Sequence, residues 1–151
     1  MMESLKQLTR FAKNFSTMWF AQDTSSHYLY ANRAFRELLN LPRGFEVEGS
    51  RVGELPHSAS EFAEEFEASD RLVEATQEAK LTLEIHPLGK DQVLSAYFFE
   101  QSPLFNENDE VIGTFTHAYP TSNLRFNRDK INAGVFIFGV PDDTLSKKEW
   151  D

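Results

Sequence analysis

Apolar residues follow two different spacings along the chain, and each spacing predicts a different kind of element. Residues 1–14 place apolar side chains three or four positions apart, as an amphipathic helix does. The same spacing over 61–79, after Ser58 and Ser60 as candidate starts, predicts a second helix. Alternating or dense apolar runs predict strands over 17–22, 28–31, 81–85, 93–105 and 111–119. This order predicts an α+β fold: a five-stranded antiparallel sheet with helices packed on one face.

A turn and a short helix connect the first two strands to the rest of the chain. Residues 24–27 are polar and form the predicted turn, and Asn32 suits the N-cap of a helix that carries Phe35. Pro42 ends that helix, because the residue before a proline disfavours helical geometry. Strand 81–85 alternates cleanly and places its three apolar side chains on one face.

The N-terminal helix carries an apolar stripe made of Leu5, Leu8, Phe11 and Phe15. Two interpretations use this stripe equally well. The helix either lies on its own domain, or pairs with its copy in a homodimer, in which case these four residues are the candidate dimer contacts.

Composition excludes several classes of function. A length of 151 residues suits a single domain. The net charge of −9 argues against direct contact with nucleic acid phosphates. The absence of cysteine excludes disulfides and thiolate chemistry. No apolar run is long enough to span a bilayer, so we expect a cytoplasmic protein without membrane contact. The 14 phenylalanines must fill a core or an apolar pocket.

The order of several short segments resembles that of a PAS domain. These segments are FAQD, YLYANRAFRELL, DRLVEATQE, QSPLFNENDE and VIGTFTHA, within residues 16–119. The resemblance implies an N-terminal helix at 1–15, a PAS domain at 16–120 and an extension at 121–151. It differs from this chain at one point, because the first PAS turn usually carries a glycine and Thr24–His27 has none.

A PAS domain senses a small signal or serves to dimerise, and the resemblance implies a pocket for a small organic ligand. The residues that it places facing inward, and that we predict as candidate ligand contacts, are Met18, Phe20, Leu29, Phe35, Tyr97, Phe99, Gln101, Phe115 and His117. Gln101, Tyr97 and His117 would orient the ligand. The alternative is that the large aromatic side chains pack solidly and leave no cavity.

The composition of this chain also reduces the number of PAS-domain cofactors that it could bind. The absence of cysteine excludes a flavin–cysteine adduct and a thiol-linked chromophore. Haem is not expected, because none of the four histidines lies in 61–79, where haem-binding PAS domains often place the ligand. A cap or a surface position is the expected role of His57. We predict no metal site and no catalytic residues, since no known catalytic motif occurs and Ser58, Asp70 and His117 form a triad only on paper.

The C-terminal segment adds two expectations. Residues 133–139 are an apolar run that forms either an extra edge strand or a contact surface. Leu145, Ser146, Lys148, Glu149 and Asp151 resemble the start of a LuxR-type helix-turn-helix domain. This resemblance implies a one-component transcriptional regulator that contacts DNA only through a C-terminal domain truncated from this chain. Two alternatives are a ligand-free interaction module and the sensory domain of a histidine kinase or cyclase.

Overall fold

One antiparallel sheet of six strands forms the centre of the fold. A computed structural model describes residues 3–121 and, for residues 134–137, the backbone. The strands are β1 (Met18–Asp23), β2 (Tyr28–Ala31), β3 (Lys80–Leu88), β4 (Val93–Phe105), β5 (Val111–Pro120) and β6 (Gly134–Ile137). Their order across the sheet is β2-β1-β5-β4-β3-β6. The five predicted strands are therefore confirmed, and the sheet gains a sixth.

The sixth strand resolves the two alternatives for residues 133–139. β6 pairs antiparallel with β3, with Gly134 opposite Ile85 and Ile137 opposite Thr82, so it lies at the sheet edge. The predicted linker and the LuxR-like residues 145–151 lie outside the described residues.

Helices α2 (Arg33–Leu38) and α3 (Ala63–Thr76) belong to the side of the sheet that we call the inner face. Two 3-10 helices, Val52–Glu54 and Ser58–Phe62, precede α3. Asn32 caps α2 as predicted, because its side-chain oxygen accepts a hydrogen bond from the Phe35 amide. Helix α3 ends three residues before the predicted Ala79, because Gln77 adopts a left-handed backbone conformation.

Helix α1 (Glu3–Ala12) covers part of the opposite, outer face. Leu5 is buried with Ala21 of β1 and Leu104 of β4, and Leu8 packs against this cluster. Asn32 fixes the end of the helix, since its Nδ2 donates hydrogen bonds to the backbone oxygens of Ala12 and Thr17. The helix therefore lies on its own domain through the first half of its apolar stripe.

The turn between β1 and β2 achieves its geometry without glycine. Oδ1 of Asp23 accepts hydrogen bonds of 2.9 Å from the amides of Ser25 and His27. Ser26 adopts a φ of 64°, in the left-handed region that glycine favours. Its hydroxyl donates a hydrogen bond to Asp70 of α3. A tertiary contact thus stabilises a conformation that usually requires glycine.

Candidate ligand-binding cavity

A cavity of about 90 Å³ lies between the inner face of the sheet and the helices. Strands β1 to β5 and helices α2 and α3 all contribute to its wall. The lining includes Met18, Phe20, Gln22, Tyr28, Phe35, Phe66, Ser69, Asp70, Thr82, Glu84, His86, Phe99, Gln101 and Thr116. Large aromatic side chains are thus combined with polar and ionisable groups, which is the composition of small-molecule sites.

The polar part of the wall comes largely from β3. Its alternation places Thr82, Glu84 and His86 toward the cavity, and all three are buried. The apolar residues of the same strand, Leu83 and Ile85, form a separate cluster with Ala96. The strand therefore directs its polar side, and not its apolar side, toward the interior cavity.

Three of these residues form a short hydrogen-bonded chain. Nε2 of His86 donates to Oε1 of Glu84 over 3.0 Å, and Oγ1 of Thr82 donates to Oε2 of the same carboxylate over 3.0 Å. His86 is 2% exposed and Glu84 is 5% exposed. Because a buried charge is costly unless it is paired and hydrogen-bonded, this arrangement requires both donors.

A second polar group lies on α3. Oδ2 of Asp70 accepts a hydrogen bond of 2.6 Å from the Ser26 hydroxyl, and Oδ1 accepts one from Nε2 of Gln101. Oε1 of Gln101 in turn accepts from the Ser69 hydroxyl over 2.8 Å. Burial raises the pKa of Asp70 to about 6, and the hydrogen bonds from Ser26 and Gln101 oppose that rise.

Tyr28 also lines the cavity. Burial raises the pKa of its hydroxyl, and the carboxylates of Asp70 and Glu84 raise it further. Its ring packs edge-on against Phe20 and Phe35, with centroids 5.7 Å and 5.3 Å away. Tyr28 thus contributes a neutral phenol to the aromatic part of the cavity wall.

Five of the nine predicted contacts line the cavity: Met18, Phe20, Phe35, Phe99 and Gln101. Tyr97 faces the inner side as expected and packs against the core there, but it does not line the cavity. Whether any of these residues contacts a ligand stays a prediction.

The predicted inward orientation of Leu29 is wrong. The pairing of β1 with β2 contains a β-bulge, in which Ala21 lies opposite Tyr30 and Gln22 lies opposite Tyr28. Leu29 is the extra residue, so it packs with the outer cluster and Tyr28 takes the inward position. A one-residue shift exchanges the faces of a strand, and no feature of YLYA signals that shift.

The predicted orientations of Phe115 and His117 are also wrong. In β5, Thr116 lies opposite Phe20 on one side and Gln101 on the other, so Thr116 faces inward with them. Phe115 and His117 consequently lie on the outer face, where His117 stacks on Trp19 with centroids 4.3 Å apart. Residues that lie opposite each other on paired strands share a face of the sheet. The inward residues of β1 and β4 would therefore have identified the inward residues of β5, had the strand pairing been known.

His57 has the capping role expected for it. Its Nδ1 accepts a hydrogen bond from the Ala59 amide at the start of a 3-10 helix, and Nε2 donates to the Pro87 oxygen. Both ring nitrogens therefore have protein partners. Within residues 3–121 and 134–137, no cluster of three potential metal ligands occurs.

Several cavity residues were not predicted from the sequence: Tyr28, Ser69, Asp70, Thr82, Glu84, His86 and Thr116. Polar residues that alternate with apolar ones normally indicate a solvent-exposed face, so the sequence of β3 favours the opposite orientation. The signal that could have identified them is the fold itself, since helices on the inner face cover that side of β3.

Comparisons with known proteins agree with this architecture. The family model described as the PAS fold matches residues 13–125. The phage VqmA–DPO complex shares 32% identity with a TM-score of 0.71, over 79% of this chain and 53% of that one. The Vibrio cholerae VqmA–ligand–DNA complex shares 29% identity with a TM-score of 0.69, over 81% and 53%.

A third structure shows the Vibrio cholerae VqmA dimer without target DNA, described among LuxR-type receptors. It shares 27% identity with a TM-score of 0.70, over 85% of this chain and 61% of that one. The chain thus spans between 53% and 61% of the length of these VqmA chains. A comparison with curated protein sequences finds no match.

None of the described helices has the length and apolar character needed to cross a membrane. The family match covers about three quarters of the chain. This protein belongs to the PAS fold family.

Proposed function

We propose that this chain is the sensory and dimerisation domain of a LuxR-type transcriptional regulator, and that it binds a small organic ligand in the cavity. The observation that carries the proposal is the buried cavity with polar groups on β3 and α3 beneath an aromatic wall. Asp70, Glu84 and Gln22 are buried there, each with a hydrogen-bond partner in the protein, and they place polar groups among the aromatic side chains, as small-molecule sites do.

The size of the cavity limits the ligand. A cavity of 150 Å³ is known to hold benzene, so about 90 Å³ accommodates a molecule no larger than one small ring unless the walls move. The aromatic side chains Phe20, Phe66 and Phe99 favour a planar ring. The VqmA structures bound to DPO make DPO the first molecule to test.

The N-terminal helix supplies the proposed dimer contacts. Its predicted stripe divides in two: Leu5 and Leu8 pack on the sheet, whereas Phe11 is 57% exposed and Phe15, three residues beyond the end of α1, is 40% exposed. Both phenylalanine rings contact Trp19, which gives a continuous aromatic surface. Large exposed apolar groups that adjoin one another are typical of interaction sites. The VqmA structure that shares 27% identity is a dimer, which supports dimerisation of this chain.

Ligand binding would act through this dimer. A ligand changes the arrangement of two subunits only if it binds one arrangement more tightly than the other. The LuxR-like residues 145–151 would lead into the DNA-binding domain, which is consistent with the net charge of −9 on the present chain. We infer a cytoplasmic protein without catalytic activity or haem, whose cofactor, if bound, is the small organic ligand itself.

A thermal-shift titration with DPO tests the proposal. We expect DPO to raise the melting temperature in a saturable manner, because ligand binding stabilises the folded state by mass action. Ala59→Leu adds a side chain to the cavity wall and should abolish the shift, whereas Ala68→Leu on the exposed face of α3 should retain it. Equal shifts in both variants would place any binding outside the cavity and contradict the proposal.

A further inference from the structure

Five consecutive residues of β3 are buried, although this strand would form one edge of the predicted five-stranded sheet. The run extends from Thr82 to His86, and none of its residues is more than 7% exposed. An edge strand normally leaves a row of backbone donors and acceptors without partners. Here β6 pairs with β3 and takes the edge position. β3 is thus an interior strand, and a four-residue segment from the C-terminal part of the chain completes its environment.

The residues that pair with β6 also belong to the cavity wall. Residues 134–137 lie opposite residues 82–85 in the antiparallel register. Within that stretch, the side chains of Thr82 and Glu84 line the cavity. The backbone that carries the pairing and the side chains that face the cavity therefore belong to the same residues.

Side-chain contacts hold β3 on both of its faces. On the inner face, the Glu84 carboxylate is hydrogen-bonded to Thr82 and to His86, each over 3.0 Å. On the outer face, Leu83 and Ile85 are buried in one apolar cluster. Closely packed interiors transmit small displacements. A shift of the β3 backbone therefore moves groups of the cavity wall, and an ordered wall restricts the backbone.

β6 also lies between the cavity and the residues proposed to lead to DNA. The strand follows residues 13–125, which match the PAS fold, so it is an addition to the matched part of the chain. The LuxR-like residues begin at Leu145, soon after Ile137. A change in the pairing of β6 would act on the part of the chain that leads to them.

We propose that the pairing of β6 with β3 couples the cavity to the C-terminal segment: an occupied cavity favours the paired strand, and the paired strand favours occupancy. This inference rests on the proposed function, because it concerns the regulation of the same cavity. A bound molecule orders Thr82 and Glu84, and this lowers the cost of ordering the backbone to which β6 pairs. The coupling is reciprocal, so it can be measured from either side.

Amide hydrogen exchange of the 151-residue chain, with and without DPO, measures the coupling from the cavity side. We expect DPO to slow exchange at residues 134–137 by about fivefold or more, the lower end of ordinary coupling between two sites. Leu8 is the reference amide and should slow less, because α1 lies on the outer face and does not line the cavity. Amide shifts of Gln101 and Thr116 report in the same sample whether DPO occupies the cavity.

Val135→Pro with Phe136→Pro measures the coupling from the strand side. Proline has no amide hydrogen, so two consecutive prolines disrupt a strand pairing. We expect the variant to bind DPO about fivefold more weakly than the wild type, because the coupling is reciprocal. Val135→Thr with Phe136→Tyr is the matched control, since threonine and tyrosine favour strands and keep their amides. This control should bind DPO as the wild type does.

The outcomes separate this inference from the proposed function. If DPO occupies the cavity but exchange at residues 134–137 slows no more than at Leu8, the coupling is wrong and the proposed function stands. The same conclusion follows if the proline variant binds DPO as tightly as the wild type. If DPO leaves Gln101 and Thr116 unchanged in the wild type, both proposals fail. Exchange in the wild type decides the matter even if the proline variant does not fold.

Discussion

The Ser26 hydroxyl donates a 2.6 Å hydrogen bond to Oδ2 of Asp70, and so joins the β1–β2 turn to helix α3. Both side chains are buried, at 0% and 2% exposure. This contact explains why the turn dispenses with glycine and why a carboxylate is tolerated in the interior. It also makes the stability of the domain sensitive to the protonation of Asp70.

The pKa of Asp70 predicts a measurable pH dependence. Because the folded state holds this pKa at about 6, above the ordinary value of 3.8, the folded state binds more protons between these values. The contribution of Asp70 to stability is therefore fully present below pH 3.8 and is lost as pH rises through 6. The loss amounts to about 3 kcal/mol at 1.36 kcal/mol per unit.

Asp70→Asn isolates this contribution, since asparagine resembles the protonated carboxyl group. Urea denaturation from pH 4 to 7 should show the variant gaining up to about 3 kcal/mol relative to the wild type as pH rises. Ser26→Ala removes a donor to the carboxylate and should extend the wild-type decline to higher pH. A constant difference between wild type and Asp70→Asn would contradict the raised pKa.

Gly113 allows close approach of β5 to β1. A Cβ atom at this position would lie 1.9 Å from the Gln22 backbone oxygen and 2.9 Å from Cα of Asp23. Gly113→Ala must therefore separate two paired strands, and we expect a loss of more than about 3 kcal/mol in unfolding free energy.

Gly44→Ala is the control for Gly113→Ala. Gly44 has a φ of 91°, and nothing lies within 4 Å of a Cβ built there. Conformational strain alone should cost about 1–2 kcal/mol. Equal losses of unfolding free energy in the two variants would show that the close approach of β5 to β1 at Gly113 adds no cost beyond conformational strain.

Asn32 links three elements through both ends of its amide. Oδ1 accepts hydrogen bonds from the amides of Trp19 and Phe35, and Nδ2 donates to the oxygens of Ala12 and Thr17. Asn32→Asp keeps the helix cap but loses both donors, so we expect a loss of about 2 kcal/mol. Chemical denaturation measures it, and Asn14→Asp, at an exposed position, should change little. If Asn32→Asp has the same unfolding free energy as the wild type, the two donated hydrogen bonds do not contribute to stability and Asn32 acts only as a helix cap.

Phe11 and Phe15 provide a test of the dimer proposal. Phe11→Glu with Phe15→Glu places charge on the two exposed phenylalanines, one in α1 and one just beyond it, and should convert a dimer into a monomer in sedimentation experiments. Leu72→Glu is a matched control, since Leu72 is 50% exposed on α3. If Leu72→Glu dissociates the dimer and the double phenylalanine variant does not, the interface lies at α3 and the dimer proposal is contradicted.

The fold was predictable because its signals are local. The alternation of each strand, the Asn32 cap and the order of elements indicate five strands and three helices without long-range information. The glycine-free turn was the one departure from the family pattern. Its explanation needed the contact between Ser26 and Asp70, which lie 44 residues apart.

The cavity was only partly predictable because side-chain direction depends on pairing between strands. The register implied by the PAS resemblance placed Phe20, Phe99 and Gln101 correctly at the cavity, since alternation alone does not say which face of a strand is inside. The predicted orientation of Leu29 was wrong because of a bulge. The predicted orientation of His117 was wrong because the inward-facing residues of β5 are shifted by one position from those predicted. Glu84 and His86 were missed because a polar strand face suggests exposure to water, whereas helices cover it here.

The central claim is that a small organic molecule enters the cavity beneath α3. The most direct measurement is an NMR titration of the chain with DPO, and with single-ring heterocycles, that follows the Gln101 side-chain amide and the Thr116 backbone amide. We predict saturable shifts at both positions, and their loss in Ala59→Leu, which fills the cavity. Shifts confined to exposed residues, or none at these two positions with any ring, would contradict the claim.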